Sequence, residues 1–170
     1  MDYFDKPQVE GGQFPVAQFL SNASNLILRS ALRAYPVLTG LKVVEARTLH
    51  EIGLHGPVMA RDIAKSACLH ETQVSLAVKK LVGKKLIRFM RDSADRRRKL
   101  LTLTLAGRPK FKSIAEILEQ RRRQILKGMS QKEQAQFFAL LNKITQNAEA
   151  MLIEDRDEEI QPKAVQGLAG

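Results

Sequence analysis

The densest chemistry in this 170-residue chain is Asp95-Arg96-Arg97-Arg98-Lys99, four consecutive cations behind one carboxylate. At a tight turn such cations repel one another and gain only when an anion arrives. An arginine on a hairpin tip can enter the DNA minor groove, where the negative potential rises as the groove narrows, and the adjacent Asp95 can orient a guanidinium. Upstream, the stretch Glu71 to Lys84 has helical spacing, with Val74, Val78 and Leu81 on one stripe. The opposite face carries Thr72, Gln73, Ser75, Leu76, Lys79 and Lys80. That mixture suits a major groove: small hydroxyls allow close approach, glutamine pairs bidentately with adenine, and lysines neutralise phosphates.

The charge distribution supports the same reading. Lys and Arg number 28 against 18 Asp and Glu, a net charge of +10, yet residues 57 to 112 alone hold 15 basic against four acidic side chains. Charge concentrated in this way marks a surface that attracts a polyanion, the alternative being a solvated basic face with no partner. Other chemistries lack their parts. Cys68 is the sole cysteine, so an internal disulfide is excluded, and the three histidines are too scattered for a zinc pattern. The chain has no phosphate-binding Gly loop and no Ser/His/Asp grouping, so it is not expected to be an enzyme or to carry a cofactor or metal. No apolar run reaches the roughly 18 residues a membrane span needs. The acidic start, Met1 to Asp5, is unlike a secretory signal, and a reducing cytoplasmic location is expected.

Apolar spacing supplies the elements that must hold these residues. Phe14, Phe19, Leu20, Ala23, Leu26, Ile27 and Ala31 predict a first helix ending near Tyr35-Pro36. A second runs from about Leu41 to Ile52, with Gly53 and Gly56-Pro57 as its stop, and a short third covers Ala60 to Ala67. After the Glu71 to Lys84 helix, Leu86 to Arg91 and Leu101 to Thr104 read as two strands around an Asp92 to Asp95 turn. Helices follow over about Arg108 to Lys127 and Gln131 to Ile153, the last opened by a Ser130/Glu133 capping box.

The fold class is therefore mainly α with a small β-hairpin wing, a winged helix-turn-helix. Its expected organisation is a flexible arm over 1–13, helical dimerisation segments over 14–40 and 108–153, a DNA-binding lobe over 41–107, and a disordered acidic tail over 154–170. The terminal helices carry Phe19 and Leu20, Ile114, Ile117 and Leu118, and Phe137, Leu140, Ile144 and Leu152. These apolar faces exceed what a small lobe can cover, and pairing two chains would bury them.

The run from Gly40-Leu41 and Glu45-Ala46-Arg47 through Asp62-Ile63-Ala64 and Val74-Ser75 to Leu86-Ile87-Arg88 resembles the MarR family of bacterial transcriptional regulators. Its most specific element is the wing, Asp92-Ser93-Ala94-Asp95-Arg96-Arg97, with Leu103-Thr104-Leu105-Ala106-Gly107 beyond it. The resemblance implies a homodimeric repressor gripping an inverted repeat in double-stranded DNA. It also implies that Arg97 enters the minor groove braced by Asp95, while Thr72, Gln73 and Ser75 lie in the major groove. In similar proteins a small anionic or phenolic effector binds between the dimer domain and the DNA lobe, which makes Arg29, Arg33, Tyr35 and His50 candidates for a pocket.

The chain departs from the family pattern at several positions. Leu76 stands where arginine is frequent, Met59 occupies a usual Thr/Ser N-cap, and Pro109, just inside the helix after the wing, means that this helix begins at Arg108 or has a kink. Lys85 replaces a common glycine, so that it either strains a left-handed cap or shifts the cap to Gly83. Two other readings are a winged module that binds an acidic protein or RNA and a redox-responsive regulator acting through Cys68, which is otherwise a small structural residue.

Overall fold

A computed structural model describes residues 16–91, 95 and 98–157. They form six helices and one two-stranded sheet: α1 (Val16–Thr39), α2 (Val43–His55), α3 (Ala60–Ser66), α4 (Glu71–Gly83), β1 (Ile87–Arg91), β2 (Lys99–Leu103), α5 (Gly107–Ile125) and α6 (Gln131–Asp157). The winged helix-turn-helix order is as expected from the sequence. The expected arm and most of the expected tail lie outside the described residues. No helix among the described residues is long and apolar enough to cross a membrane.

The chain divides into two units, one up to Glu119 and one from Gln120 onward. The core of the first is built from Leu49 and Ile52 of α2, Ile63 of α3, Val74 and Leu81 of α4, Ile87, Leu101 and Ile114, all at most 2 % exposed. Ile114 of α5 belongs to this intrachain core, so it is not available to a dimer face as its spacing had suggested, while Leu118, partly buried, packs against the core.

Two helix boundaries differ from the sequence expectation. α1 does not end near Tyr35-Pro36 but continues to Thr39 with Pro36 inside it. Proline removes one intrahelical donor, and the last turn is held by other bonds. The Thr39 hydroxyl donates to the Tyr35 carbonyl at 2.6 Å, and Gly40, at φ +66°, donates its N–H to the Pro36 carbonyl at 3.0 Å. Nor does Gly53 stop α2, which runs on to His55. A β-carbon at Gly53 would fall within the Phe111 ring of α5, so this glycine serves a close approach of two helices.

β1 and β2 pair antiparallel from Ile87 opposite Leu103 to Arg91 opposite Lys99. A third short piece joins them: Val58 and Leu101 exchange backbone hydrogen bonds of 3.1 and 2.8 Å. A single bridging residue has no periodicity, and the sequence pattern did not reveal it. At the base of the hairpin the Thr104 hydroxyl donates to the carbonyls of Lys85 (2.7 Å) and Leu86 (3.1 Å) and accepts from the Gly107 N–H at 3.0 Å. A β-carbon on Gly107 would overlap the Leu86 carbonyl oxygen. The Thr104-x-x-Gly107 spacing therefore closes the wing at its root and starts α5 in the same turn. Pro109 falls in the first turn of α5, where a missing N–H costs nothing, and the helix begins ahead of it at Gly107.

In the second unit, Ser130 and Glu133 form the expected capping box. The Ser130 N–H donates to the Glu133 carboxylate at 2.7 Å, and the Glu133 N–H donates to the Ser130 hydroxyl at 3.3 Å. Along α6, Phe137, Phe138, Leu140, Ile144, Met151, Leu152 and Ile153 are all exposed. The outer part of α1 is similar: every residue from Val16 to Ser30 is exposed, Phe19, Leu20 and Leu26 among them.

Candidate nucleic-acid interface

The helix-turn-helix is α3, a four-residue turn over 67–70, and α4. α2 pins the start of that turn and the last residue of α3. Arg47 donates from its guanidinium to the Ala67 carbonyl, and the Ser66 hydroxyl donates to Glu51 at 2.7 Å. Within the turn Cys68 takes a left-handed φ of 48°, while the Leu69 N–H donates to the Ala64 carbonyl at 2.9 Å. The Cys68 side chain is exposed and free. Met59 and His70, the N-caps of α3 and α4, supply no side-chain cap bond.

α4 buries Val74, Ala77, Val78 and Leu81 and turns Thr72, Gln73, Ser75, Leu76, Lys79 and Lys80 outward. The side chains of Thr72, Gln73, Ser75 and Lys79 have no hydrogen-bond or ion-pair partner among the described residues. Their polar atoms remain available to a ligand. Lys80 differs, its ammonium lying 3.7 Å from Glu45.

Glu45 is a carboxylate that sequence reasoning missed. Only 4 % exposed, it also pairs with Lys84 at 3.2 Å and accepts from the Lys42 N–H at 3.4 Å. It thereby ties the start of α2 to the second half of α4 and to Lys84 just beyond it. The one clue in the sequence was an acid beside Ala46 on an otherwise apolar stripe.

On the wing, Arg98 donates its N–H to the Asp95 carbonyl at 3.0 Å, and its side chain lies 3.5 Å from the Asp95 carboxylate. The carboxylate of Asp95 is thus paired with Arg98. Arg96 and Arg97 lie outside the described residues, so the expected partnership with Arg97 lies there too. Lys99 is exposed and opens β2 opposite Arg91, not within the turn.

The four effector candidates do not converge. Arg29 and Arg33 stand one turn apart on α1 and line an open groove with Ser30 and Leu26. Tyr35 is 3 % exposed and belongs to the core. His50, on α2, lies with its ring centroid 5.6 Å from that of Phe111, and partial burial lowers its pKa against the opposing pull of Glu51.

Residues 41–99 match the family model described as MarR family. The fold matches that of a MarR/EmrR family transcriptional regulator from Acinetobacter sp. ADP1 with a TM-score of 0.71 and 27 % identity over 79 % of this chain and 94 % of the other. It also matches MepR of S. aureus, solved as a DNA complex, with a TM-score of 0.69 and 23 % identity over 79 % of this chain and 99 % of that one. A third match is Bordetella bronchiseptica BpsR, whose DNA binding is regulated by 6-hydroxynicotinic acid, with a TM-score of 0.68 and 24 % identity over 82 % and 98 % of the two chains. No curated protein sequence matches the chain.

Proposed function

From the match of residues 41–99 to the MarR family model and the likeness to a MarR/EmrR family regulator, we propose that the chain is a homodimeric, sequence-specific regulator of transcription acting on double-stranded DNA. The observation that carries the proposal is the outward face of α4, where Thr72, Gln73, Ser75 and Lys79 have side chains without a partner among the described residues, in a chain segment whose hairpin is strongly cationic. Thr72, Gln73, Ser75 and Leu76 read the major groove, Lys79 and Lys80 meet phosphates, and Arg96 to Lys99 approach the neighbouring minor groove. The exposed apolar lengths of α1 and α6 supply the dimer contact, because a lone chain would leave them in water. A twofold dimer sets its two recognition helices about 34 Å apart, and the operator is then an inverted repeat with half-sites one turn apart.

The mode of action we propose is repression in the cytoplasm, relieved by a small anionic effector. Arg29 and Arg33, which line one groove on α1, support such an effector, as does the ligand response of the structurally similar BpsR. A coupling of about 1 to 3 kcal/mol between the two sites changes operator occupancy 5- to 150-fold.

The test is a titration of duplex DNA over a range of salt. Log K is expected to fall linearly with log salt at about 0.9 per phosphate neutralised. Arg97→Ala is expected to weaken binding about tenfold and to flatten that slope by about one contact. Unchanged affinity and slope in that variant would overturn the assignment of the wing. Retention of single-stranded RNA or an acidic protein, with no duplex binding, would favour an interaction module instead.

A further inference from the structure

Leu76 is the anomaly on the reading face. It is 62 % exposed, with Thr72 and Gln73 one turn before it and Lys79 and Lys80 one turn after. Water is a poor environment for a leucine there, and an apolar partner would improve it. In the major groove the one apolar group on any base edge is the C5 methyl of thymine.

The rest of the face narrows the choice further. α4 contains no arginine, and its two lysines lie in its second half. One of these, Lys80, is drawn toward Glu45. Its first two turns thus lack the bidentate cation that selects guanine. What they do offer is Gln73, three residues before Leu76 on adjoining helix surface, with an amide that has no partner among the described residues. That amide can meet both N6 and N7 of adenine.

We propose that Gln73 and Leu76 are the specificity-determining residues of α4, and that the base pairs they face are A·T, read by the adenine edge and the thymine methyl. This rests on the DNA-binding reading above and goes beyond it by naming the bases. It predicts a half-site whose centre is A·T, with thymine required for its methyl group and not only for pairing.

The experiment selects the preferred duplex from a random pool with the full chain, then replaces each thymine by uracil, which pairs identically but lacks the methyl. One thymine per half-site is expected to matter, its replacement weakening binding about fourfold, as loss of one buried methyl-sized group should. Leu76→Ala is expected to bind the thymine site about as weakly as the wild type binds the uracil site, and to distinguish the two no longer. Because Leu76 is exposed and alanine favours helix, the variant should keep its circular dichroism spectrum. Gln73→Ala is expected to relax selection at the adenine while keeping the thymine–uracil difference. A flat uracil scan on a tightly bound site, or undiminished sensitivity in Leu76→Ala, overturns the assignment and leaves the DNA-binding reading standing. Failure to select any duplex overturns both.

Discussion

Lys85 ends α4 in a left-handed conformation, φ 57°, with its N–H donating to the Val82 carbonyl and the next N–H, of Leu86, to the Leu81 carbonyl at 3.0 Å. That bond pattern is a Schellman cap, which glycine adopts without steric cost and lysine does not. From sequence the strain either sat on Lys85 or moved to Gly83. The structure puts it on Lys85, since Gly83 remains the last residue of α4. Lys85→Gly is expected to raise stability by about 1 kcal/mol in urea unfolding, whereas Lys84→Gly, at a negative φ, should give no gain. Glu45 teaches the opposite lesson about legibility. Its partner Lys84 lies 39 residues away. Nothing in local spacing could have joined the two.

Each element was legible to the extent that its signal was local. Val74, Val78 and Leu81 placed the buried stripe of α4, and the charged run after Arg91 placed a hairpin, because helix and strand periods are properties of neighbours. The Val58 bridge, the approach of Phe111 to Gly53 and the root of the wing at Thr104 depend on chain segments that meet only after folding. The α6 cap lies at the legible end of this range, and it has a pH signature. Hydrogen bonds from the Ser130 hydroxyl and N–H hold the Glu133 carboxyl below its ordinary value of 4.5. The folded state therefore binds the proton less readily than the unfolded one. The support that Glu133 gives α6 is complete above pH 4.5 and is lost as pH falls through the lower folded value. Ser130→Ala removes the largest cause of that shift. It is expected to flatten the acid limb of helicity measured by circular dichroism against pH.

At the scale of the molecule, the exposed apolar lengths of α1 and α6 are the surfaces on which the proposed dimer would pair. Sedimentation velocity at micromolar concentration is expected to show a dimer for the wild type. Leu140→Asp combined with Leu152→Asp, both on the exposed surface of α6, is expected to yield a monomer with an intact winged lobe and at least tenfold weaker operator binding. A wild-type monomer would contradict the twofold arrangement.

The ladder of the wing carries one more consequence at this scale. Its last pair sets Arg91 against Lys99, two like charges facing each other across the strands. Such a pair opposes closure of the hairpin in dilute buffer, and added ions screen it. Under the proposed DNA-binding function salt is therefore expected to act in two opposite senses, weakening the complex with duplex DNA while easing the pairing of Arg91 with Lys99. In the complex proposed above, a backbone phosphate beside this pair would do locally what bulk salt does in solution, and the ligand would itself help to close the hairpin.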